Sequence, residues 1–166
     1  APEHPAPIIV AAHGPRMLEL AGKSSDGAKL YLMPPERVAF AREVIGQSRE
    51  LCVVLHCCWT KDASRAREVG REVVGFYLGL PAYYDIWRTC GFSDRDFIGA
   101  GSDKLIDRLF VWGTDKQIEN RIEELAAAGA SHIALAPFDP TEPLKGGKPT
   151  AWQIDWDLLE ALAPRN

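Results

Sequence analysis

The chain alternates short, continuously apolar runs with longer stretches in which apolar residues recur every three or four positions. The first run, Pro7 to Ala12 (PIIVAA), contains no polar position, as expected of a strand covered on both faces. Gly14-Pro15 follows at once, and Met17, Leu18, Leu20 and Ala21 then take up helical spacing as far as Gly22. Pro is favoured at a helix's first position and Gly just beyond its last, so the unit reads as strand, tight turn and short helix. The pattern recurs. Ala28 to Met33 is a second strand, closed by Pro34-Pro35, and Glu36 to Ile45 is a helix with Val38, Ala41 and Ile45 on one stripe. Leu51 to Trp59 (LCVVLHCCW) is the longest strand, and Asp62 is placed to cap the helix that carries Ala66, Val69, Val73, Val74 and Tyr77.

The segment from Phe76 to Phe97 holds six of the ten Phe and Tyr residues plus Trp87, and is expected to pack against the body. Asp103 to Phe110 reads as a further helical piece. Thr114 and Gln117 form a capping-box pattern ahead of a helix over Ile118 to Ala128, which Gly129 ends. Ser131 to Phe138 (SHIALAPF) is the fourth strand, and Trp152 to Leu162 a final amphipathic helix with Trp152 and Trp156 expected in the core.

Four strands alternate with helices and no hairpin signal joins any two, which implies parallel strands with right-handed crossovers. The fold class is therefore α/β, with two arrangements open: an open doubly wound sheet, or part of a (β/α)8 barrel. A whole barrel needs about 250 residues; this chain has 166 and four of the eight units.

Composition narrows the partners. Hydrophobic residues make up 46% and charged residues 25%, the balance of a globular protein. The 19 basic and 23 acidic residues leave a net charge of −4 with no basic block, so nucleic acid is not an expected partner. No run of about 18 apolar residues suggests a membrane span. The N-terminus lacks the apolar segment of a signal peptide, and four irregularly spaced Cys do not make a disulfide scaffold. A reducing cytoplasm is the expected compartment. Residues 1–166 read as one domain, with a loop over 139–149 before the last helix.

The chemistry-bearing stretch is Ala11-Ala12-His13-Gly14-Pro15, at the carboxyl end of a buried strand and the start of a helix. Both barrels and open α/β sheets place their ligands at that edge. Small residues let a ligand approach the backbone, and the free amides and dipole of a helix start favour phosphate. The alternative is a tight turn with no ligand.

Read whole, this region resembles the luciferase-like monooxygenase superfamily. The series is Ala11-Ala12, Gly14-Pro15, Ala21-Gly22, Ser25-Asp26-Gly27 and Pro34-Pro35-Glu36, followed by LFVWGTDKQ from Leu109 and AGASHIALAP from Ala128. The resemblance runs from Pro7 to about Pro137 and corresponds to strands five to eight of the family's TIM barrel, a C-terminal half. It implies hydride transfer between a small organic substrate and either flavin mononucleotide (FMN) or the deazaflavin coenzyme F-420. Ala11, Ala12, His13, Gly14 and Pro15 would line the cofactor's phosphate-bearing tail. Catalytic groups would lie largely in the other half, so the chain alone is expected to be inactive. A non-catalytic half-barrel that keeps only the cradle is the runner-up, and an unrelated four-stranded binding protein a third reading. The chain opens Ala1-Pro2-Glu3-His4 without an initiator Met, and is expected to start partway through a longer enzyme.

His56, Cys57 and Cys58 raise the question of a metal site, since imidazole and thiolate bind zinc. Neighbours on a strand point to opposite faces, so His56 and Cys58 share a face that Cys57 cannot join, and no further ligand pair completes a set. Metal is not expected; His56 and Cys58 are candidates for touching substrate. His13 is a candidate acid–base group, though its more expected contribution is its backbone. A half-barrel would leave two strand edges and one sheet face open, so self-association, or a missing N-terminal half, is the expected partner.

Overall fold

The computed structural model describes residues 6–141 and 154–163. From the N-terminus, strand β1 (Ile9–Ala11) leads into helix α1 (Pro15–Ser24), then strand β2 (Gly27–Tyr31), helix α2 (Pro35–Ile45) and strand β3 (Glu50–Cys58). The three strands pair in parallel, Ile9 opposite Gly27 and Gly27 opposite Glu50. Helix α3 (Ala63–Gly75) is started by Asp62, whose carboxylate accepts from the amides of Ser64 and Arg65. The aromatic segment forms a 3-10 turn (Tyr77–Gly79) and helix α4 (Pro81–Thr89). Helix α5 (Asp103–Leu109) runs straight into a short strand β4 (Phe110–Trp112). Helix α6 (Asp115–Ala127) carries the capping box of Thr114 and Gln117, and strand β5 (His132–Pro137) and helix α7 (Trp156–Leu162) complete the order.

Strand β3 is the spine. It pairs with β2 over its first half, with β4 over its last three residues, and with β5 from Cys52 to Cys57. Cys57 O accepts from Phe138 N and Cys58 O from Gly113 N. Successive carbonyls of a strand point to opposite edges, so β4 continues the edge that β2 occupies, and β5 lies on the other. Apart from this short β4, the strands therefore follow in chain order. A doubly wound sheet reverses its strand order and covers both faces; this one does neither. Ala28, Leu30, Leu51, Val53 and Leu55 are buried with Leu18, Val38, Ala41 and Leu125 of the helices. The opposite face carries Lys29, Cys52, Val54, His132 and Ala134, all partly or fully exposed. The open doubly wound alternative is set aside in favour of singly wound βα units, the arrangement of part of a barrel.

Three details differ from the sequence reading. The described residues form five strands rather than four: Phe110 begins β4 instead of ending a helix, because Gly113 and Phe110 are drawn onto the end of β3. Helix α1 runs through Gly22 to Ser24. A Cβ on Gly22 would lie 3.1 Å from Ile45 Cα, so this glycine serves the close approach of α1 and α2, not the helix end. Trp156 is 70% exposed rather than core, since α7 turns Leu158 inward instead. Trp152 and most of the 139–149 loop lie outside the described residues.

Candidate functional site

The five residues from the end of β1 to the start of α1 split by position. Ala11 ends the strand on the open face. Ala12 is buried, and its amide donates to Lys29 O at 3.2 Å, so its side chain faces the core and not a ligand. Gly14 is the N-cap of α1 without a side-chain cap, Pro15 follows at the first helical position, and the first turn has no acidic residue. The first intrahelical bond runs from Leu18 N to Gly14 O, which leaves the amides of Arg16 and Met17 without a helical acceptor. The backbone of Gly14 (φ −81°, ψ 156°) suits any residue, and a Cβ there would meet no atom within 4 Å. Neither turn geometry nor packing therefore calls for glycine; the space beside it is what a Cβ would take. That fits a group bearing a phosphate, which needs amides and close access to backbone.

His13 is held from two sides. Its carbonyl accepts from the guanidinium of Arg37, and its Nε2 lies 3.4 Å from the Tyr83 hydroxyl. Burial, and then the charge of Arg37, lower its pKa, so it is neutral near pH 7 and its buried Nδ1 has no partner.

From Tyr83 an aromatic series crosses the end of the sheet. Tyr83 packs on Tyr77 (5.0 Å between ring centroids), Tyr77 on Tyr31 (5.2 Å), Tyr31 edge-on to His56 (4.5 Å), and His56 over Phe138 (6.0 Å). Sequence reasoning placed His13 and His56 at this edge but missed Tyr31, Tyr77, Tyr83 and Phe138. The aromatic richness of residues 76–97 was the available signal, and only the fold shows where it lands. Trp87 anchors the segment: its indole donates to Leu32 O at 3.0 Å. Leu32, just past β2, is the one described residue other than glycine with positive φ (53°), a conformation that costs on the order of 1 kcal/mol and is sustained by that contact.

His56 and Cys58 share a face and stand at the carboxyl end of β3, but both are fully covered. Burial pushes the Cys58 thiol up to about 12, reinforced by the charge of Asp155, and pushes Cys57 higher still. Neither is a nucleophile at neutral pH. Among the described residues no three metal-ligating side chains come together.

Burial also lowers His56 to about 4, and this has a consequence for stability. The unfolded imidazole binds its proton near 6.5, so between 6.5 and 4 the unfolded state holds more protons than the native one and stability falls with pH. The fold is expected to be at full strength above pH 6.5 and to lose about 3 kcal/mol by pH 4 through this group. His56→Phe should flatten that part of a urea-denaturation series against pH; an unchanged slope would show that another group carries it.

The fold defines a class: singly wound parallel βα units, with the turn at Gly14 and the aromatic series at the carboxyl ends of the strands. Residues 1–132 match the model of the family described as luciferase-like monooxygenase, and the chain belongs to that family. The 5,10-methylenetetrahydromethanopterin reductase of Methanolobus tindarius is 29% identical over 162 residues, covering 82% of this chain and 50% of that protein. Its counterpart in Archaeoglobus fulgidus is 29% identical over 164 residues, covering 81% and 49%. Among solved structures, the coenzyme F420 dependent tetrahydromethanopterin reductase from Methanopyrus kandleri superposes with a TM-score of 0.58 at 21% identity, over 79% of this chain and 44% of that one. An F420-dependent secondary alcohol dehydrogenase, in complex with an F420-acetone adduct, gives 0.61 at 17% identity, over 98% and 51%. The chain spans about half the length of the curated relatives it matches.

Proposed function

We propose that this chain is the C-terminal half, strands five to eight, of a luciferase-like oxidoreductase that transfers hydride between a small organic substrate and coenzyme F-420 or FMN, and that this half supplies the phosphate cradle. The relatives named for F420-dependent reduction and alcohol oxidation favour F-420 of the two. The observation that carries the reading is the open, uncapped turn at Gly14, where no packing explains the glycine. A bound deazaflavin or flavin would supply the hydride chemistry itself. The chain's own contribution is to bind and orient. The amides of Arg16 and Met17 hold the phosphate, Ala11 allows close approach, and Arg37 fixes the turn through the His13 carbonyl. Tyr31 and Tyr83 present an aromatic wall to the substrate end, with His56 and Cys58 shaping it from behind.

The proposed partner is the other half of a barrel or a second copy of the chain, within a reducing cytoplasm. Lys29 and His132 are exposed on the sheet's open face, and among the described residues β1 and all but the end of β5 keep one edge without a strand neighbour. The described helices include none long and apolar enough to cross a membrane. Light scattering of the purified chain is expected to show dimers or larger species; a monodisperse monomer would count against an open half-barrel. Titrating F-420 and FMN separately, followed by visible absorbance, tests the functional reading. A bound-state spectrum without turnover is expected, and no spectral change with either cofactor would overturn it.

A further inference from the structure

Outside the sheet, α1, α2 and α4 border a half-open cavity of about 370 Å³. Its walls are Pro15, Phe40, Ile86, Thr89 and Cys90, with Arg37 among them. Arg37 is only 5% exposed. One of its terminal nitrogens donates to His13 O and its guanidinium lies 4.2 Å from the Phe40 ring centroid, but its Nε is buried without a partner. No carboxylate pairs with it among the described residues. Two acids also line the cavity, and both are already engaged, Glu36 with Arg108 at 2.6 Å and Asp85 with Arg88 at 2.9 Å.

A buried cation without a counter-ion is costly, and here its setting adds to the positive field. Two helices start at this cavity: Pro15 opens α1, and the first turn of α2 contributes Glu36 and Arg37. Neither Gly14 nor Pro34 offers a side-chain cap. Both dipoles therefore present their positive ends beside the guanidinium. Burial also lowers the Arg37 pKa, the signature of a charge short of compensation.

We propose that this cavity is an anion-binding site for a small organic phosphate or carboxylate. Arg37 and the two helix starts hold the charged head, and Phe40 and Ile86 hold an apolar body. The site shares the start of α1 with the proposed cofactor cradle and rests on that reading to this extent, but phenyl phosphate tests it with neither F-420 nor turnover.

Cys90 lines the cavity and Cys52 lies away from it on the open sheet face, both partly exposed, which gives a local readout and an internal reference. Phenyl phosphate is expected to slow alkylation of Cys90 by iodoacetamide, measured by peptide mass spectrometry, while leaving Cys52 unchanged. Inorganic phosphate should need about tenfold higher concentration, the value of one buried ring, and phenol should not protect. Arg37→Met should raise the protecting concentration of phenyl phosphate at least about tenfold, and Arg37→Lys should recover part of it. If Arg37→Met does not fold, Thr89→Trp, an exposed position on the wall, should block the cavity and abolish protection. Unprotected Cys90 in the wild type, protection by phenol equal to that by phenyl phosphate, or an unchanged Arg37→Met would each overturn the proposal. Competition by F-420 would assign the head group to the cofactor's tail, and independence from F-420 would assign it to a separate anion; either supports the site.

Discussion

Gly14→Val is expected to weaken binding of F-420 or FMN by about 10- to 100-fold while costing the fold about 1 kcal/mol or less. The first figure follows from the cradle. A branched side chain fills the open space beside the helix start and displaces charge-assisted hydrogen bonds worth about 1.5–3 kcal/mol each. The second follows from the backbone, which already has negative φ and leaves the new Cβ free of contacts; what is lost is mainly glycine's modest advantage over valine as an N-cap. Gly14→Ser separates the two effects further. A serine hydroxyl can cap the amides of α1 itself, so it should raise the melting temperature slightly yet still weaken the cofactor by competing for the same donors. Equal affinity in all three proteins, at equal stability, would remove the turn from the site.

The largest stability effect is expected at Trp87. It is fully buried, packs on Tyr83 and Phe97, and donates to the carbonyl of the positive-φ residue Leu32. Trp87→Ala should cost about 3–5 kcal/mol, a large share of the 5–15 kcal/mol available to a typical domain. Trp87→Phe retains most of the volume but leaves the Leu32 carbonyl unpaired, at about 1–3 kcal/mol. Because the Tyr83–His13 contact depends on how α4 is seated, the milder variant should also alter cofactor affinity where both are measured. Urea unfolding gives the stabilities, and a loss under 1 kcal/mol for Trp87→Ala would mean that α4 is not anchored as described.

What was legible in the sequence was local. Asp62 ahead of α3 and the Thr114–Gln117 box ahead of α6 are side chains bonding amides two or three residues away, and both caps form as read. The βα rhythm was legible because each strand is a continuous apolar run and each helix carries its own stripe. What escaped depends on register or on distant partners. Strand β4 has three residues, too few to show a period, and exists because it docks on the end of β3. Gly22 looks like a terminator until Ile45 is seen against it. The aromatic wall joins Tyr31, His56, Tyr77 and Phe138 from four segments, and Arg37 reaches back 24 residues to His13. No local pattern marks such pairings.

In the proposed function the turn at Gly14 binds the phosphate of a flavin-type cofactor. The most direct measurement compares FMN with riboflavin, which differ only in the phosphate, and F-420 with its deazaflavin core, which lacks the whole phosphate-bearing tail, each titrated calorimetrically into the chain. The phosphate-bearing member of a pair should bind at least about tenfold more tightly, with the difference shrinking as salt rises and vanishing in Gly14→Val. Equal affinity with and without the phosphate would contradict the account.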